Sequence, residues 1–355
     1  MLACHRDPVY ARSVASLRKP KAPSRPGPAE RDQVLRVVAW YFRQVYGRTE
    51  GPGTLPFYCD EQRVGAFAVR PADLATGDDE ALFRLLVTIS MYQARRDTLI
   101  MRQQREMPAA TATALCSARA LGDQIERHAC PALATAETFD RECDVNKRSG
   151  VPNCDSQPSL PCHVKSASLA LKRTGDMGKL ATSAWLHLWP SGGFGPLLRS
   201  PCLRNLDPAA RANALVDRLA SVHRFGRKLA TLFVAALSTP ALAPGLTPWF
   251  PFIDGNELVV IDTNVVRATT VLSPSSASGS RNYDALARWV RSHAVGIDLA
   301  GFHQSVPRYS PRIVQQALYS FASRSNRVAN RDPCAGGLGL ACSSCVEALC
   351  PFASR

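Results

Sequence analysis

The chain has 355 residues, which is enough to bury a large core in one or two domains. Its formal net charge of +14 points to an acidic partner, and nucleic acid is the leading candidate because basic surfaces release counterions when they bind DNA. No apolar run is long enough to span a membrane and the first residues lack the core of a signal peptide, so we expect a cytoplasmic protein, nucleoid-associated in a bacterium. The alternative is a basic protein without such a partner.

In chain order, residues 1–31 are rich in basic residues and prolines, which predicts a disordered basic arm. A first helix is predicted over residues 32–46, with Asp32 as its N-cap. Residues 48–79 are broken by glycine and proline, and they are predicted to form loops with a short strand over residues 64–69. Apolar spacing then predicts a helical region over residues 81–101, which contains Gln93.

The middle of the chain carries a cysteine-rich segment that is poor in regular patterns. A helix is predicted over residues 112–127, and a loop-rich insert follows over about residues 128–165. The insert contains Cys130, Cys143, Cys154, Cys162 and His163, and these residue types are common zinc ligands. Their spacing is irregular and includes no C-x-x-C pair, so a second metal site and incidental buried thiols both remain open.

Two segments of the second half offer charged side chains at predicted helix starts. Asp207 and the proline after it predict the start of a helix that ends in a tight turn at Gly226, after which a new helix carries Lys228 in its first turn. Further on, a short apolar strand is predicted before Asp262 and Thr263, which are typical helix-start residues. Lys228 and Asp262 therefore both stand at helix N-termini, where the helix dipole favours anions such as DNA phosphate.

Four cysteines near the end of the sequence have the spacing of a metal-binding loop. They follow the pattern C-x7-C-x2-C-x4-C and are Cys334, Cys342, Cys345 and Cys350. The tight C-x-x-C pair favours metal ligation over a disulfide scaffold. Four thiolates suit either a [4Fe–4S] cluster or structural zinc, and the spacing alone does not choose between them.

Taken together, residues 226–230 (GRKLA), residues 261–267 (IDTNVVR) and the four cysteines resemble the endonuclease III family of helix-hairpin-helix DNA glycosylases. That family has a hairpin ending G-x-G-[RK]-K-x-A, then V-D-T-H-x-x-R, then a four-cysteine loop spaced C-x6-C-x2-C-x5-C. The order of the three motifs agrees as well. The hairpin departs from the pattern because Arg224 stands where the family has its first glycine, and Gly226 alone remains.

The resemblance implies an all-α, two-lobed glycosylase fold with a C-terminal four-cysteine cluster loop. One lobe would be a helical barrel over residues 81–237, and the other would combine residues 32–80 with residues 238–355. The active site would lie in the cleft between the lobes, and the protein would act as a monomer on double-stranded DNA.

The resemblance also assigns roles to residues. It implies Lys228 as the nucleophile and Asp262 as the assisting carboxylate of an enzyme that excises a damaged or modified base, with or without AP lyase activity. It implies DNA contacts at a larger group of positions, namely Gln93, Arg224, Gly226, Arg227 and Arg267. The four cysteines would hold the [4Fe–4S] cluster, with zinc as the alternative.

Simpler interpretations stand beside each of these roles. Lys228 could be a phosphate contact, Asp262 a plain N-cap and Gln93 a polar residue at a helix end. The whole chain could be a non-catalytic iron–sulfur DNA-binding protein, or a zinc protein built on an unrelated helical domain.

Overall fold

The computed structural model describes residues 28–93, 95–127, 130–143, 162–171, 176–273 and 282–323. These residues form helices and connecting turns without any β-strand, and a single isolated bridge joins Tyr46 to Glu50. The predicted all-α class is therefore confirmed for the described part of the chain. Within it, no helix has both the length and the apolar character needed to cross a bilayer.

The helices vary from single turns to 17 residues in length. In chain order, the α-helices are α1 (Pro28–Gln44), α2 (Glu61–Val64), α3 (Pro71–Thr76), α4 (Asp79–Ser90), α5 (Asp97–Arg105), α6 (Ala109–Cys116), α7 (Ala118–Glu126), α8 (Ala136–Glu142), α9 (His163–Leu171), α10 (Asp176–Leu188), α11 (Phe194–Leu198), α12 (Pro201–Arg204), α13 (Pro208–Leu219), α14 (Gly226–Ser238), α15 (Thr263–Leu272), α16 (Tyr283–Ala294) and α17 (Pro311–Ala322). Short 3₁₀ turns lie at Phe57–Cys59, Gly65–Phe67, Pro131–Ala134, Trp189–Ser191 and Leu299–Gly301.

Side-chain caps fix where several helices begin. Asp207 Oδ1 accepts a hydrogen bond from Ala210 N at 2.8 Å, and proline occupies the first position of α13, as the sequence predicts. Asp78 caps α4 in the same way, with Oδ1 2.9 Å from Ala81 N. Each such cap satisfies an amide that has no partner inside its helix, and its loss typically costs about 1 kcal/mol.

The first large core cluster is built from residues between Tyr58 and Leu258. Within it, α13 and α14 pack against each other as a pair joined by a short turn, and α14 also packs on α4. Phe233 of α14 is fully buried, 5.6 Å from the Trp249 ring in an edge-on contact. Burying one such ring contributes roughly 1.5–3 kcal/mol, so the apolar face of α14 anchors the helix that carries Lys228.

The second core cluster joins the two ends of the described chain. Its buried side chains come mainly from α1, α15, α16 and α17. Trp40 of α1 meets Phe321 of α17 edge-on at 5.1 Å between ring centroids. Polar contacts extend the same junction, since Arg31 Nη2 donates to the carbonyl of Gly296 at 2.7 Å.

Several predicted boundaries differ from the structure. The strand predicted over residues 64–69 is wrong, because Asp60 accepts from Gln62 N and starts a helical turn there instead. The strand predicted before Asp262 is also wrong, since residues 258–261 lie outside any strand. The single helix predicted over residues 81–101 is two helices, α4 and α5, separated by a turn that includes Met91 and Gln93.

The N-terminal boundaries differ as well. Helix α1 begins at Pro28 rather than at Asp32, so Asp32 lies inside the helix and residues 28–31 are not part of a disordered arm. Proline at the first helical position and Glu30 in the first turn both favour the earlier start. Tyr58 and Leu74 pack in the first core cluster, although the prediction assigned residues 32–80 to the second lobe.

The cysteine motifs fall largely outside this structure. Residues 1–27, part of the insert that includes Cys154, and the loop with Cys334, Cys342, Cys345 and Cys350 lie outside the described residues. Within the described ranges, Cys130 and Cys162 are free thiols, and no group of three or more potential ligands is placed to hold a metal ion.

Candidate active site

A cavity of about 240 Å³ lies where side chains from the two core clusters meet. Its walls come from the segment after α1, from α4, α5, α14 and α17, and from the chain leading into α15. The lining residues are Val45, Thr49, Glu50, Thr54, Pro56, Phe57, Tyr58, Arg63, Ile89, Tyr92, Asp97, Met101, Lys228, Leu232, Ala236, Leu242, Val260, Asp262, Arg312, Gln315, Gln316 and Tyr319.

Lys228 reaches this cavity from the first turn of α14. Its side chain is half-buried, and Nζ donates a hydrogen bond to the carbonyl oxygen of Tyr92 at 3.2 Å. Tyr92 lies in the turn between α4 and α5, so this bond fixes the lysine against those helices. One neutral acceptor leaves the ammonium group with further hydrogens to donate into the cavity.

Asp262 enters the same cavity from the start of α15. Its Oδ1 accepts hydrogen bonds from Asn264 N at 3.0 Å and from Val265 N at 2.8 Å, which makes it the N-cap of that helix. Burial raises the pKa of Asp262, while the Val265 amide and the positive charge of Lys228 oppose that rise. The carboxyl therefore caps a helix and interacts with the lysine at once.

The sequence patterns did not predict a second carboxyl that lines the cavity. Asp97, the first residue of α5, accepts a hydrogen bond from the hydroxyl of Tyr319 on α17. The negative charge of Asp97 also contributes to the raised pKa of Asp262. Asp97 and Asp262 thus both line the cavity with Lys228. In the sequence, Asp97 is recognisable only as an aspartate at a helix start. Such aspartates are common, so the pattern does not indicate a site residue.

A third carboxyl belongs to a buried polar network between α1 and α17. Glu50 Oε2 accepts from the Tyr41 hydroxyl at 3.0 Å, and both carboxyl oxygens lie 3.0 Å from Gln316 Nε2. Arg312 Nη1 donates to Gln316 Oε1 at 2.9 Å and also to Gln315. Burial raises the pKa of Glu50, and the hydrogen bonds from Gln316 and Tyr41 oppose the rise. Nothing in the local sequence distinguishes Glu50, because Gln316 lies 266 positions away.

The turn between α13 and α14 contains Arg224, the residue that stands in place of the first glycine of the hairpin pattern. Arg224 has φ +60°, and among the described residues it is the non-glycine residue with positive φ. Gly226 follows with φ +58°. A left-handed conformation disfavours residues with a Cβ by roughly 1–2 kcal/mol, so the turn keeps a glycine-type geometry at Arg224 despite the side chain there.

The other predicted DNA contacts lie outside the cavity lining, and Arg227, Arg267 and Gln93 are bonded within the protein as follows. Arg227 Nη1 pairs with Asp284 at 2.6 Å, and Arg267 Nη1 donates to the Ala322 carbonyl at 3.2 Å. Gln93 Nε2 donates to the Ser90 carbonyl at 2.7 Å, as a polar residue at a helix end would. The cavity therefore brings together Lys228 and Asp262, and leaves Gln93, Arg224, Gly226, Arg227 and Arg267 outside its lining.

Comparison with protein-family models, with curated proteins and with solved structures finds no match to this chain.

Proposed function

We propose that the protein is a DNA glycosylase that removes a damaged or modified base from double-stranded DNA, with Lys228 as nucleophile and Asp262 as assisting carboxylate. One observation carries the proposal. The two residues come from separate segments, 34 positions apart by their numbers, and both line the cavity between the core clusters. An isolated phosphate contact and an isolated N-cap have no reason to share a small, partly apolar cavity.

The chemistry requires a base that has left the duplex stack, because the bond between base and sugar is inaccessible inside it. The amine of Lys228 would form a bond to C1′ as the bond from C1′ to the base nitrogen breaks. The departing electron pair stays on the base nitrogen, which takes up a proton. Loss of the amine proton and opening of the sugar ring then give a Schiff base, from which strand cleavage can follow.

Asp262 would serve this reaction in two ways. Its carboxylate would stabilise the positive charge that develops on the sugar, and it would accept a proton from the attacking amine. Its burial strengthens both effects, since charges interact more strongly away from water. The bonds from Asn264 and Val265 hold the carboxyl in place before any substrate arrives, so little reorganisation is needed.

The DNA interface of the proposal rests on charge and on the turn before α14. The net charge of +14 favours a polyanion, and the first amides of α14 are oriented as a helix N-terminus presents them to a phosphate. Exposed Arg95 and Arg96 in the turn after α4 add basic side chains beside the segment that holds Lys228. We further propose that Cys334, Cys342, Cys345 and Cys350 hold a [4Fe–4S] cluster, with zinc as the alternative.

The test is covalent trapping with borohydride, which reduces a Schiff base to a stable protein–DNA adduct. The substrates are duplexes that contain an abasic site and a panel of duplexes with single damaged bases, on which base release is measured in parallel. Lys228→Gln should abolish trapping and leave DNA affinity nearly unchanged, because one positive charge among many is removed. Lys165→Gln on α9, a half-buried lysine outside the cavity, is the matched control and should trap normally.

Asp262→Asn provides the second arm of the test. Asparagine also caps helices, so the variant should stay folded while base release falls by about 10²-fold or more, the usual range for losing a group that assists proton transfer. Absence of trapping and of base release on every duplex, with DNA binding intact, would contradict the enzyme and leave a non-catalytic DNA-binding protein.

A further inference from the structure

Glu50 is a cavity-lining carboxyl that the proposed reaction does not use. It is half-buried, lines the cavity with Lys228, and sits where burial disfavours its charged form. Within the described part of the chain, it forms no ion pair with a basic side chain. Burying a carboxylate costs solvation free energy. A carboxyl that nevertheless lines a cavity is therefore a candidate for ligand recognition.

The hydrogen bonds that Glu50 makes leave it able to accept more. Its donors in the structure are the Tyr41 hydroxyl and the Gln316 amide. An ionised carboxylate has about four acceptor positions, so acceptor capacity remains for a ligand in the cavity. The two donors come from α1 and α17, and they hold the carboxyl in one orientation between those helices. Glu50 is thus held in one orientation and can accept a further hydrogen bond from a ligand.

The rest of the cavity favours a flat ring with one polar edge. Aromatic rings of Phe57 and Tyr92 and the aliphatic side chain of Leu232 provide apolar faces. Near Glu50, Arg312 is buried and its Nε has no hydrogen-bond partner among the described residues. The volume of about 240 Å³ lies just below the range of roughly 300–1,000 Å³ that holds drug-sized ligands, which limits the occupant to a small ring system.

We propose that Glu50 determines the specificity of this cavity by accepting a hydrogen bond from an N–H group on the edge of an extruded nucleobase. That the ligand is a nucleobase rests on the proposed function, whereas the need for an N–H donor rests on Glu50 itself. An exocyclic amino group and a ring imide both supply this donor. A base edge with acceptors only would leave the carboxyl desolvated and unpaired, and such mismatches are rejected strongly.

Binding of free bases to the full-length protein tests this without DNA or catalysis. The probes are methylated at the nitrogen that would carry the sugar, and they form two matched pairs. 9-Methyladenine and 9-methylpurine differ by an exocyclic amino group, and 1-methyluracil and 1,3-dimethyluracil differ by the ring N–H. Dissociation constants come from ligand-detected NMR titration, which reads millimolar affinities. At least one N–H member should bind about tenfold more tightly than its partner, the usual worth of a hydrogen bond to a charged group.

Variants assign that preference to Glu50. Glu50→Leu removes the acceptor at similar size and should bring the two members of each pair to equal affinity, whereas Glu50→Gln retains a carbonyl acceptor and should keep part of the preference. Glu30→Leu is the matched control. Glu30 also links α1 to a distant helix, through Trp289 Nε1 at 2.7 Å, but it does not line the cavity, so the preference should remain.

The outcomes separate the two proposals. A preference for the adenine pair assigns the donor to an amino group, and a preference for the uracil pair assigns it to an imide. Equal affinities within both pairs in the wild-type protein, an unchanged preference in Glu50→Leu, or no binding of any probe would each overturn the role of Glu50. A clear N–H preference in a protein that never traps DNA would instead overturn the glycosylase and retain the recognition site.

Discussion

Gly226→Ala offers a clean measurement of the backbone conformation that starts α14. Gly226 has φ +58°, and a Cβ built at this position meets no atom within 4 Å. The substitution therefore introduces conformational strain without any steric clash. A residue with a Cβ in the left-handed region is disfavoured by roughly 1–2 kcal/mol, and alanine also reduces the entropy of the unfolded chain, which offsets about 0.4–1 kcal/mol of that.

Gly301→Ala is the control for the effect of a glycine-to-alanine change on the entropy of the unfolded chain. Gly301 is likewise exposed, and a Cβ there also meets nothing within 4 Å, but its φ lies in the ordinary range. This control should be neutral or slightly stabilising. Because both variants change the unfolded chain in the same way, the difference between them isolates the left-handed conformation and should be roughly 1–2 kcal/mol.

The assay is equilibrium unfolding of the full chain in urea, followed by far-UV circular dichroism and tryptophan fluorescence. Coincident transitions and equal m-values are needed before midpoints are converted to free energies. Equal midpoints for Gly226→Ala and Gly301→Ala would refute the positive φ at the turn.

Three further predictions concern charge, DNA binding and the cysteines. Burial raises the pKa of Asp262, so its contribution to stability is present at acid pH and declines as pH rises from the ordinary carboxyl range through the raised value. Asp262→Asn should flatten this dependence in thermal unfolding at several pH values, and a steeper dependence would contradict it. DNA affinity should fall steeply and log-linearly with salt, and near-constant affinity would contradict a phosphate-dominated interface. Cys345→Ser, purified without oxygen, should be colourless and poorly soluble, whereas a soluble, stable variant without metal would show that the cysteine loop folds alone.

The sequence was informative where structure is determined by neighbouring residues. Asp207 and the proline after it start α13, Asp262 caps α15, and Lys228 lies in the first turn of α14, as predicted. Each of these depends on contacts within a few positions, which local residue preferences describe well. The turn at Gly226 was predictable for the same reason, because glycine adopts positive φ without strain.

Longer-range features were not predictable from the pattern of residues. Glu50 lies in a segment rich in glycine and proline, and it becomes part of the cavity only through Gln316, which is 266 positions away. Arg312 and Tyr319 look like ordinary polar positions of a helix until α17 packs beside α1. The strand predicted over residues 64–69 failed because the cap at Asp60 and the packing of Phe67 outweigh the alternation of apolar residues.

The pairing of α1 with α17 also sets the order in which a newly made chain can complete its cavity. Residues of the first core cluster, from Tyr58 to Leu258, belong to one stretch of chain that leaves the ribosome well before α17. At synthesis rates of about 5–20 residues per second, α17, which lies some 270 positions downstream of α1, is synthesised roughly 13–55 seconds after α1. For most of that interval the apolar face of α1, with Trp40 and Tyr41, has no native neighbour from the C-terminal helices. A nascent protein therefore acquires Lys228 early and Gln316 last, and a chain released before α17 has the Lys228 side chain without the helix whose Gln316 binds Glu50.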